Sequence, residues 1–133
     1  MPRTQKEQNM NNRSDVGGAH VGSGLDSRAI AIRELNDRLR TTGRGGMVVL
    51  TDGVAALGPE TVATIFAAVR RFADFNPDND PWGEHDCAVL TINGIRVIWK
   101  IDYFDRSRRI HSPDPADPKV TVRVLTVMLA NEY

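Results

Sequence analysis

A chain of 133 residues is long enough for one domain with a buried core and too short for two of ordinary size. Lys plus Arg balance Asp plus Glu at 17 each, so no global field draws the protein to nucleic acid or to a membrane surface. One cysteine excludes an internal disulfide, and no apolar run approaches the roughly 20 residues that span a bilayer; with a polar start unlike a signal peptide, this predicts a cytoplasmic protein.

Residues 1–25 are rich in Asn, Gln, Ser, Gly and charge and offer little to bury, which predicts a disordered tail ahead of a single domain over 26–133. Asp26 or Ser27 can cap a helix running to about Thr41, with Ile32, Leu35 and Leu39 on one stripe and Gly43 placed to end it. The charged residues on the rest of that helix read as a solvated face. The glycines of TGRGG follow a helix and precede a strand, the reverse of a phosphate-binding loop. Met47 to Thr51 reads as a strand that pairs with a later hairpin. Pro59 and Glu60 open a second helix, on which Val62, Ile65, Phe66, Val69 and Phe72 share a side.

After an oxygen-rich loop that lacks the calcium-binding pattern comes the strongest structural signal. Two β-rich runs flank Asn93-Gly94, the dipeptide suited to a type I′ turn. A two-residue turn fixes register: Leu90 opposes Val97 and Ala88 opposes Trp99 on an apolar face. On the other face Cys87 opposes Lys100 and His85 opposes Asp102. The basic, then proline-rich DRSRRIHSPDPADP reads as a long surface loop. In KVTVRVLTVMLANEY the β-branched residues argue for strand. The Asp117-Pro118 cap signal, with Val120, Val124, Val127 and Met128 on one wheel face, argues for helix, and helix is the expectation.

The phrases DNDPWGEHD, IWKIDYFD, SPDPADP and RVLTVMLANEY, in this order, resemble a family of small uncharacterised bacterial proteins often encoded on plasmids and other mobile elements. The resemblance runs from about Ile32 to Tyr133. It implies a bacterial cytosolic protein and a role in mobile-element biology, such as modulating a host defence or maintenance system; it implies no activity or catalytic residue. Where the family pattern has phenylalanine after Glu-His-Asp, this chain has Cys87, which weakens any cysteine-centred chemistry.

By register His85, Asp102, Lys100 and Cys87 share one polar face and have the parts of a nucleophile, a base and an orienting acid. The competing reading is an ordinary solvated sheet face. A metal site from His85, Asp102 and Asp105 with Glu84 or His111 has no supporting spacing, and a nuclease set of Glu84, Asp102 and Lys100 inverts the usual acid-x-lysine order. Neither a metal nor any other cofactor is expected. The partner-binding candidates are Arg106, Arg108, Arg109 and His111 in the loop, with Arg96 on the strand. A protein partner is favoured, and nearby aspartates count against nucleic acid.

These readings converge on an α+β fold: a small antiparallel sheet of about three strands around the hairpin, packed on one face by two to three helices. The expected function is a non-enzymatic interaction or regulatory module acting on a nucleic-acid defence or maintenance complex. The alternative is a small hydrolase or metal-dependent nuclease centred on His85 and Asp102.

Overall fold

The computed structural model describes residues 26–133; the expected tail, residues 1–25, lies outside the described residues. In chain order the elements are α1 (Ser27–Thr42), β1 (Met47–Leu50), the single turn α2 (Asp52–Ala55), α3 (Pro59–Arg71), β2 (Cys87–Ile92), β3 (Ile95–Phe104) and β4 (Val122–Leu129). A 3-10 turn, Ala130–Glu132, follows. The class is α+β, as the sequence indicates.

The ends of α1 are set by the expected residues. Asp26 accepts a hydrogen bond from the Ala29 amide at 2.6 Å, and Gly43, in the left-handed region at φ 76°, donates to Leu39 O. In α3, Pro59 occupies the first turn, and Ile65 and Val69 are fully buried with Val62, Phe66 and Phe72 packed around them.

The central hairpin has the predicted register, Cys87 opposite Lys100, Ala88 opposite Trp99 and Leu90 opposite Val97. Asn93 and Gly94 both have positive φ, 50° and 82°, as a type I′ turn requires. Trp99, Val97, Ile101 and Tyr103 therefore face the helices and are sealed among Ile32, Leu39, Val54, Ile65 and Val69. Each large apolar side chain so buried contributes about 1.5–3 kcal/mol.

Two expectations about the sheet are corrected. The last segment is strand β4, because Arg123, Leu125 and Val127 alternate toward the core, a period of two that outweighs the helical wheel. The Asp117 signal makes a tight turn instead, its carboxylate accepting from the Lys119 amide. β4 lies antiparallel to β3, and β1 pairs in parallel with β4 rather than with the hairpin. The result is a four-stranded mixed sheet of order β1-β4-β3-β2, helices on one face. Among the described residues no helix is long and apolar enough to cross a membrane.

Candidate functional site

The polar face of the hairpin holds three of the four residues that register placed there. Cys87 and Lys100 are direct partners, and Asp102 follows on the same side of β3. The Lys100 ammonium turns along its own strand to Asp102 Oδ2 at 2.5 Å. Cys87, Lys100, Val89, Ile98, Tyr133 and Asn79 line a hollow of about 410 Å³.

His85 is elsewhere. Strand β2 begins only at Cys87, and His85 has a left-handed backbone at φ 55°, so its side chain leaves the alternation before the ladder starts. Its ring stacks on Phe75 with centroids 3.7 Å apart, and its Nδ1 lies 2.8 Å from Asp37 Oδ1 on α1. Its Nε2 is 3.7 Å from Asp80 Oδ2, while the carboxylate oxygens of Asp80 accept from the His85 amide. These contacts are on the helix side of the sheet and Asp102 is on the other, so the His85–Asp102 couple is not formed. His85 instead lines a shallow cleft of about 260 Å³ with Phe75, Asp80, Pro81 and Arg33.

The phrases that carry the sequence resemblance meet inside the molecule. Glu84, Tyr103 and Arg123 are each no more than 2 % exposed. The Tyr103 hydroxyl donates to Glu84 Oε1 at 3.1 Å and accepts from Asn36 Nδ2 at 2.7 Å. Arg123 Nε donates to Asn36 Oδ1 at 2.9 Å, its Nη2 donates to Pro115 O, and its guanidinium lies over the Tyr103 ring. Burial raises the Tyr103 hydroxyl pKa well above the usual phenol value, with Glu84 and Asp86 adding to it, and burial lowers that of Arg123.

A family described as "Protein of unknown function (DUF3768)" matches residues 50–132. The chain belongs to that family. No curated protein and no solved structure matches it. The quoted phrases thus supply most of a buried polar lattice, which Asn36 joins from α1, N-terminal to the matched residues.

The arginine candidates divide. Asp105 folds its loop around itself: its carboxylate accepts from Ser107 Oγ at 2.9 and 2.8 Å and from the Arg109 and Ile110 amides. The Ser107 hydroxyl, followed by those amides, holds the Asp105 pKa below its ordinary value. The Asp105 carboxylate is thereby engaged within its own loop, and Arg106, Arg108, Arg109 and Ile110 form an exposed tip, with Ile110 67 % exposed. His111 bridges back to Phe104; burial and Arg28 lower its pKa, against Asp102. Arg96 is eight residues up β3 from Phe104, about 26 Å at strand rise, and does not join the tip.

Asp37, Asp80 and Phe75 were not legible as partners of His85. Asp37 lies 48 residues away on a helix face that sequence assigns to solvent. Among the described residues no group of three or more His, Cys, Asp or Glu is arranged to hold a metal ion.

Proposed function

We propose that the protein is a non-enzymatic interaction protein of a bacterial mobile element, regulating a host nucleic-acid defence or maintenance complex in the cytoplasm by docking its arginine tip on an acidic surface of a protein partner. The observation that carries this reading is the Asp105 carboxylate, which braces its own loop and leaves Arg106, Arg108 and Arg109 exposed on it, with Arg108 Nη1 also reaching Met47 Sδ at 3.3 Å. A braced loop loses little conformational freedom on binding, and guanidinium groups suit bidentate pairing with carboxylates. The burial of Glu84, a carboxylate of the candidate nuclease set, supports the same reading, since it is engaged with the Tyr103 hydroxyl inside the fold. Reversing Arg106, Arg108 and Arg109 to Glu abolishes biological activity on this reading, while His85→Gln and Lys100→Ala leave it intact. The opposite pattern defeats it.

A second reading has its own observation. Asp37 holds His85 Nδ1 at 2.8 Å, Nε2 lies 3.7 Å from Asp80 Oδ2, and His85 lines a cleft together with Arg33, an oriented imidazole near an anion-attracting group. A small hydrolase would be centred on His85 and Asp37 rather than on His85 and Asp102. Its substrate turnover would be lost in Asp37→Asn and His85→Gln and indifferent to the arginine tip.

A further inference from the structure

We infer that the free edge of β1 is where a second copy of this chain adds its own β1 in antiparallel orientation, joining two four-stranded sheets into one. β1 is an outer strand of the sheet, paired to β4 alone among the named strands. All four of its residues, Met47, Val48, Val49 and Leu50, are apolar and all are exposed, Met47 and Val48 at 40 %. Edge strands are ordinarily blunted by lysine, proline or a bulge, and this one carries none of them.

The backbone selects the register. The Thr51 amide donates to Val127 O on β4 at 3.1 Å. Amides alternate in direction along a strand, so those of Met47 and Val49 also turn toward β4 while Val48 and Leu50 direct theirs outward. In an antiparallel pair, outward residues must oppose outward residues. Val48 then faces Leu50 of the second copy and the reverse, with Val49 opposite its own counterpart on the two-fold axis.

The flanks are complementary in this arrangement and in no parallel one. Arg44 precedes the strand and Asp52 follows it, and both are exposed. Antiparallel pairing brings Arg44 of each copy within two positions of direct opposition to Asp52 of the other, a diagonal that a long arginine side chain can span, twice by symmetry, whereas parallel pairing would set like charges together. Residues 1–25 are a poorer occupant: they contain no two adjacent β-branched or aromatic residues to match the apolar run.

The test is sedimentation of the full chain across the micromolar range, with amide hydrogen exchange on the same samples. A concentration-dependent dimer is expected. Arg44→Glu or Asp52→Arg alone should raise its dissociation constant by about tenfold, and the two together should restore it, since both sites are exposed and the charges merely exchange places. Val49→Lys, which sets two ammonium groups on the axis, should also dissociate it. Exchange at Val48 and Leu50 should slow as the dimer forms, with Val49 protected throughout. A monomer across the range overturns the inference, as does a dimer indifferent to these substitutions. Protection of Val48 and Leu50 that does not vary with concentration overturns it too, because another segment of the same chain then occupies the edge.

Discussion

His85 Nδ1 and Asp37 Oδ1 meet at 2.8 Å across 48 residues of chain, and that contact ties the loop entering the hairpin to helix α1. Phe75 stacks on the face of the same imidazole, and the Asp80 carboxylate accepts from the His85 amide. Asp37 also pairs with Arg40, whose Nη1 donates to the carbonyls of Val69, Arg70 and Phe72 at the end of α3. One half-buried histidine is therefore held by α1 and the loop after α3, and through Asp37 and Arg40 it is linked to the end of α3.

His85→Val removes the stack and the hydrogen bond and forces a β-branched residue into a left-handed backbone. It should cost about 2–4 kcal/mol, and His85→Asn, which tolerates that backbone, distinctly less. Urea denaturation of the two variants checks the order. Equal losses would mean that the backbone conformation carries no strain.

Much of this fold is legible in the sequence and the site is not, for one physical reason. The hairpin, the caps of α1 and the stripe of α3 are local, and turn chemistry with periodicity specifies them. β4 failed because a run rich in valine satisfies a helical wheel and an alternating strand alike, and the deciding partners, β1 and β3, are distant in sequence. His85 failed because register arithmetic assumes the ladder reaches it, whereas a positive φ two residues before Cys87 turns it away.

The buried lattice should be intolerant of partial removal. Tyr103→Phe deletes the hydroxyl that satisfies both Glu84 Oε1 and Asn36 Nδ2 and should cost about 1–3 kcal/mol. Arg123→Met leaves Asn36 Oδ1 and Pro115 O without that donor and should cost more, about 3–5 kcal/mol. Thermal denaturation of both variants tests the ranking.

Gly46 closes the approach of β1 to β4. A Cβ there would lie 2.5 Å from the backbone carbonyl oxygen of Arg123, which cannot rotate aside. Gly46→Ala should therefore destabilise the fold by about 1–3 kcal/mol and loosen β1 first. Loss of amide protection at Val49 ahead of Trp99 would report it, and uniform loss along the sheet would refute it.

Asp105 gives the arginine tip a pH dependence. Its folded pKa lies below the ordinary carboxyl value because Ser107 and the Arg109 and Ile110 amides favour the charged form. The bracing is thus fully present above the usual carboxylate range and is lost as pH falls through the lowered value. The Arg109 and Ile110 amide resonances should titrate with an apparent midpoint below that of a free aspartate. Asp105→Asn should abolish the titration; a midpoint at or above the ordinary value would contradict the bracing.

The docking role of the arginine tip is tested most directly by quantitative co-purification from the native host. Three proteins are compared: the unaltered chain, the triple variant Arg106→Glu, Arg108→Glu, Arg109→Glu, and His85→Gln, each verified as folded by circular dichroism. The account predicts a discrete protein partner retained by the unaltered chain and by His85→Gln and lost from the triple variant. A partner that stays with the triple variant, or leaves with His85→Gln alone, would contradict it.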